Sequence, residues 1–126
     1  MSQATPSYVP DRGDIVRLSL DPQAGREQSG RRPVLVLSPA NYNRKSHLVV
    51  VCPLTSQEKG YPFEVPIPEG NAVYGVILAD QIRSLDWVAR NAEYVSEIDE
   101  ETLAQVTGRS IALIDPDGLF STPTEE

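Results

Sequence analysis

Between Gly25 and Ser38 the chain reads Gly-Arg-Glu-Gln-Ser-Gly-Arg-Arg-Pro-Val-Leu-Val-Leu-Ser. Two glycines, three arginines and the polar side chains of Glu27, Gln28 and Ser29 thus sit in a loop that runs directly into an apolar strand. A cation held at a strand mouth beside hydroxyls and amides is a chemistry for gripping phosphate, because guanidinium and phosphate match as forked donors and paired acceptors. A second polar run, Thr55-Ser56-Gln57 followed by Lys59, comes at the end of another apolar stretch. Neither run contains histidine or cysteine, so the donor set suits a phosphodiester and not a metal ion, and no cofactor is expected.

The elements around these runs predict that they meet. Residues 33–38 and 48–54 are apolar strands of similar length joined by roughly ten residues, and so short a connection makes neighbouring strands antiparallel. The start of the first then lies beside the end of the second, which brings Arg32 next to Thr55 across 23 positions of sequence. Pro33 restricts the backbone of Arg32 to extended conformations and launches its side chain from a defined place. Arg26, Glu27 and Gln28 from one loop and Ser56, Gln57 and Lys59 from the other fall around this pair. The plainer alternative for Arg32 is a surface ion pair with Glu27, worth about 0–1 kcal/mol.

At 126 residues the chain is one domain by length, large enough to fold without disulfides or metals. Single Cys52 lies inside an apolar run and gives no cross-link, which suits the cytoplasm. No apolar run is long enough to span a membrane, and the N-terminus lacks a secretory pattern. The net charge of −7 hides an asymmetry: residues 1–60 carry eight Lys/Arg against five Asp/Glu, residues 61–126 three against thirteen. A basic face on an acidic protein is therefore possible, with salt-sensitive affinity for polyanions.

Further along, 14–20 reads as a strand, 21–32 as loop, 38–46 as a single helical turn and 63–67 as a proline-bearing edge strand. Residues 73–79 read as a strand, 80–86 as a loop or short helix, and 87–95 as the last strand. A helix capped by Asp99 or Ser96 runs to about 114, with Ile98 stapled onto Leu103 and Leu103, Val106, Ser110, Leu113 and Ile114 on one face. The domain is 1–115, with 1–7 frayed and 116–126 a loose tail. Short strands with one terminal helix predict a mainly β fold, a small closed antiparallel barrel.

Five stretches carry a family resemblance: residues 8–14, Gly25–Ser38, Pro53-Leu54-Thr55-Ser56-Gln57, Lys59–Val65 and Leu78–Ser84. In that order, spanning about 8–114, the chain resembles the MazF/PemK/Kid family of endoribonuclease toxins. The resemblance implies an SH3-like antiparallel β-barrel with a C-terminal α-helix (PemK/CcdB-like), a homodimer, and metal-independent cleavage of single-stranded RNA. It also implies a cognate MazE-like antitoxin whose acidic segment occupies the RNA groove. In this reading Arg32 meets the charge that builds on the phosphate, Thr55 orients the reacting group, and Glu27 acts as base or holds Arg32. Arg26, Gln28, Ser56, Gln57, Lys59, Gln81 and Arg83 grip the RNA, with the glutamines on base edges, Lys59 and Arg83 on phosphates and Tyr61 stacking. Arg26 stands where members usually carry serine, and Ser56 where threonine or alanine is commoner, so sequence preference is affected more than reaction type. The competing readings are a CcdB-type gyrase-inhibiting toxin and a non-catalytic barrel module that binds RNA or protein.

Overall fold

The computed structural model describes residues 7–22 and 24–120. The elements follow in the order β1 (Asp14–Ser19), β2 (Arg31–Val36), α1 (Ala40–Ser46), β3 (Leu48–Thr55), β4 (Glu64–Pro66), β5 (Val76–Leu78), β6 (Arg83–Asp86), β7 (Glu93–Glu97) and α2 (Glu100–Ile114). All pairings are antiparallel, in the order β4-β5-β3-β2-β1-β7, with β6 also on β3. The fold is mainly β with a C-terminal helix, as read from the sequence. Among the described residues β4 pairs with β5 alone and β7 with β1 alone, so no ladder joins the two ends of the path and the sheet is not the closed barrel expected from the sequence.

The continuous apolar runs exist because the sheet is covered on both sides. Ile15, Leu35, Cys52 and Leu54 face one core cluster, completed by Val65, Ile77, Ile98 and Val106. Their alternates Val16, Leu18, Val34, Val36, Val49 and Val51 face a second, closed by Leu85 and Trp87. This is the two-residue period of a strand applied to two buried faces.

The helix α2 is capped by Asp99, whose carboxylate accepts from the Thr102 amide at 3.0 Å. Ile98 lies in the first core cluster and Leu103 packs against that cluster, so both residues of the expected staple serve the same core. Its buried stripe is Thr102, Val106 and Ser110. Leu113 and Ile114 have the right spacing, but none of the described residues covers them beyond Ser110, and they are exposed.

Several boundaries differ from the sequence reading. The strand β2 begins at Arg31, because pairing with β1 continues through Leu18–Arg32 and Ser19–Arg31. Residues 83–86 form a strand on β3 where a loop or short helix was expected, aligning Val51 with Arg83 and Val49 with Leu85. The last strand is 93–97, since Asn91 adopts a left-handed φ of 56° and breaks the run from Trp87. Residues 1–6 of the expected frayed terminus and 121–126 of the tail lie outside the described residues. Within the tail, 116–120 are anchored: the Asp115 carboxylate accepts from the amides of Leu119 and Phe120, both at 2.9 Å.

Candidate active site

The strands β2 and β3 part company at two prolines. Their ladder runs from Val36–Val51 to Val34–Pro53 and stops, since Pro33 and Pro53 have no N–H with which to extend it. Continuing that register by two residues sets Arg32 opposite Thr55. There β3 has turned to β5 instead, pairing Leu54 with Ile77 and Thr55 with Val76. The two strands therefore diverge around a cavity of about 260 Å³, lined only by polar residues other than its backbone: Glu27, Gln28, Ser29, Arg32, Thr55, Ser56 and Gln57. The predicted juxtaposition of Arg32 and Thr55 is present.

Both groups are held by their stems and left open at their tips. Half-buried Arg32 donates from Nε to the Ser29 carbonyl at 2.6 Å, and its two Nη groups have no partner among the described residues. Buried Thr55 accepts at Oγ1 from the Gln57 amide at 3.1 Å, which leaves the hydroxyl proton free to be donated. The end of β3 is fixed by an unusually close neighbour. Gly75 adopts φ +119°, and a Cβ placed there would lie 2.2 Å from the Thr55 carbonyl oxygen. Only glycine lets β5 approach at that point.

Glu27 lines the same cavity but is exposed, and its Oε1 accepts from the Ala24 amide at 3.3 Å. Among the described residues no ion pair joins it to Arg32, which removes the plainer reading of that arginine. The pair that does form is Arg31 with Glu93 at 3.0 Å.

A second cavity of about 440 Å³ shares Gln28, Thr55 and Gln57 with the first and extends it to Arg26, Lys59, Tyr61 and Gln81. Its floor and walls include Phe63 and Leu78, so it offers apolar faces that the first cavity lacks. Gln81 is tied in by its Oε1, which accepts from the Gln28 amide at 3.2 Å. The loop bearing Lys59 and Tyr61 is gathered by the buried Glu64 carboxylate, which accepts from the amides of Lys59, Gly60 and Tyr61 at 2.8–3.3 Å. Arg109 of α2 reaches over to the carbonyls of Pro62 and Glu64.

Arg83 is the predicted RNA contact that the fold does not bring here. It lines neither cavity, and its Nη1 donates to the Leu20 carbonyl at 3.0 Å. Three further residues escaped the sequence reading. Asp80 lines the larger cavity, and Arg17 and Tyr74 border a third cavity of about 270 Å³ that again touches Arg32, Thr55 and Ser56. Asp80 was legible as the neighbour of Gln81; Arg17 and Tyr74 carried no distinguishing signal. Cys52 is no candidate nucleophile, since burial pushes its thiol up to about 12. His47 is the C-cap of α1 and packs edge-on against Trp87.

A family profile described as PemK-like, MazF-like toxin of type II toxin-antitoxin system matches residues 11–113. The chain belongs to this family. Endoribonuclease toxin MazF of Escherichia coli (strain K12) is 44% identical over 107 residues, covering 85% of this chain and 96% of that protein. The crystal structure of MazF from Deinococcus radiodurans superposes with a TM-score of 0.83 at 54% identity, covering 86% of this chain and 98% of that one. A MazE-MazF crystal structure from the same organism matches with a TM-score of 0.77 at 48% identity, covering 86% and 98%. As a member of the PemK/MazF family the chain is an endoribonuclease toxin of a toxin–antitoxin system, and neither the gyrase-inhibitor reading nor the silent module is favoured. No helix among the described residues is long and apolar enough to cross a membrane.

Proposed function

We propose that this chain cuts single-stranded RNA without a metal ion, using the RNA's own 2′-hydroxyl as nucleophile. The observation that carries the reading is one cavity onto which the unpaired Nη groups of Arg32 and the donatable hydroxyl of Thr55 both open. The 2′-oxygen attacks the adjacent phosphorus as its proton leaves to a base, and the bond to the 5′-oxygen breaks as that oxygen gains a proton. The products are a 2′,3′-cyclic phosphate and a 5′-hydroxyl end. An intramolecular nucleophile leaves the protein mainly the task of holding the linkage in line.

Arg32 supplies a fork of positive charge for the non-bridging oxygens, and Thr55 donates one hydrogen bond to the same phosphate. Glu27 lines the cavity without being bonded to Arg32, which favours the base over the positioning role. Arg26, Gln28, Ser56, Gln57, Lys59 and Gln81 bind the flanking nucleotides, Tyr61 offers a stacking face, and Arg17 and Tyr74 extend the surface beyond Arg32. Arg83 acts from behind by holding the loop and is withdrawn from the contact set.

The antitoxin partner is a MazE-like protein, supported by the MazE-MazF complex whose toxin resembles this chain. An acidic segment would lie against Arg26, Arg32 and Lys59. The homodimer implied by the family is supported by the apolar area that Ile111, Leu113 and Ile114 leave uncovered. The working place is the cytoplasm, where messenger RNA is met. Incubating the purified protein with a long transcript in EDTA tests the reaction. Discrete fragments with cyclic phosphate and 5′-hydroxyl ends are expected; intact RNA, or cutting only after metal is added, would overturn it.

A further inference from the structure

RNA entering the larger cavity meets a carboxylate. Asp80 follows the buried end of β5, is exposed, and lines the cavity beside Gln81, Arg26 and Lys59. Its side chain takes no hydrogen bond and no ion pair among the described residues, so it does not hold the fold together. It is no phosphate ligand either, since a fixed negative charge repels a polyanion and lowers its affinity. What remains for it is a hydrogen-bond donor on the RNA, and RNA has such donors on its bases and its 2′-hydroxyls. The walls of the cavity favour a base: Tyr61, Phe63 and Leu78 supply apolar surface for a ring, a feature absent from the polar cavity around Arg32.

Building on the ribonuclease reading, we infer that Asp80 is a specificity-determining residue that selects a base bearing an exocyclic amino group and rejects uracil at one position of the cleavage motif. Adenine, cytosine and guanine each offer an amino group to a carboxylate. Uracil offers a single N3–H set between two carbonyl oxygens, which the same carboxylate repels. A wrong base leaves Asp80 desolvated and unpaired, so selection works by penalty as much as by attraction. The neighbouring Gln81 has its Oε1 engaged by the Gln28 amide, which keeps its amide N–H groups for an acceptor on the same base.

Fragment ends mapped on one defined transcript, cut in EDTA by the wild type, by Asp80→Asn and by Asp80→Ser, test this. The wild type should show one motif position from which uracil is absent. Both variants should cut additional sites carrying uracil there, with rates at the original sites within about tenfold. In parallel, oligonucleotides with a 2′-deoxy residue at the cut nucleotide measure binding without cleavage. Replacing the selected base by uracil should weaken wild-type binding about tenfold or more, and Asp80→Asn binding by less than about threefold. A wild-type motif that admits uracil at every position, or variants that keep the wild-type motif, would overturn the inference while leaving the ribonuclease reading intact. A wild type that cuts no RNA would overturn both.

Discussion

Behind the 21–30 loop, three guanidinium groups are taken up by the protein itself. Arg31 donates to the carbonyls of Arg90 and Asn91 and pairs with Glu93. Arg90 donates to the carbonyls of Ser19 and Asp21 at 2.8 and 2.7 Å, and Arg83 to that of Leu20. In front of the loop, Arg32 bonds the described residues through Nε alone, and Arg26 lines the larger cavity exposed. Arg31 and Arg32 are adjacent on one strand, and the pleat alone sends them to opposite faces. The contrast teaches that an arginine's role follows from which of its five donors the fold has used. With an Nη group spent on carbonyls behind the loop it is a strut; held by Nε alone, with its Nη edge open to a cavity, it is a ligand for an anion.

Substitutions can break or sharpen that division. Arg32→Ala should lower the cleavage rate about 10²–10³-fold with the melting curve little changed, as for removal of an oxyanion donor. Gly75→Ala should destabilise the fold by about 1–3 kcal/mol, because its positive φ and the clash with the Thr55 carbonyl cannot both be relieved locally. Thermal unfolding and residual activity measured together would show stability and catalysis falling jointly, unlike Arg32→Ala. Arg90→Ala removes two charged hydrogen bonds from the base of the loop and should cost about 1–2 kcal/mol of stability, read from denaturant midpoints. Arg31→Ala removes an exposed ion pair and two exposed carbonyl hydrogen bonds, and should cost about 1 kcal/mol of stability while changing the cleavage rate by less than about threefold. A loss in Arg31→Ala as deep as in Arg32→Ala would abolish the distinction between the two faces.

The part of this arrangement that depends on strand parity was readable beforehand. Val34 to Leu37 and Val49 to Leu54 are apolar because both faces of these strands are covered, and their short connection forces Arg32 towards Thr55. The strand at 83–86 was not readable, since Leu85 is its one buried side chain and pairing with β3 is what makes it extended. Trp87 and Val88 look like the start of a strand, but the indole Nε1–H is claimed by the Asn43 carbonyl at 2.9 Å and the chain turns there. Glu64 alternates like a solvent-facing residue, yet it is buried because three loop amides need an acceptor. Arg83 shows the same limit from the other side. A long side chain aimed at a backbone carbonyl leaves no periodic trace, so a strut and a substrate contact look alike in sequence.

A double-mutant cycle on Arg32 and Thr55, read by single-turnover cleavage of one RNA substrate, bears most directly on the shared phosphate. If guanidinium and hydroxyl serve the same group, Arg32→Ala/Thr55→Ala should be little slower than Arg32→Ala alone, since removing the first partner leaves the second without a positioned target. Rate losses that simply multiply would mean the two side chains act independently and would contradict a common site.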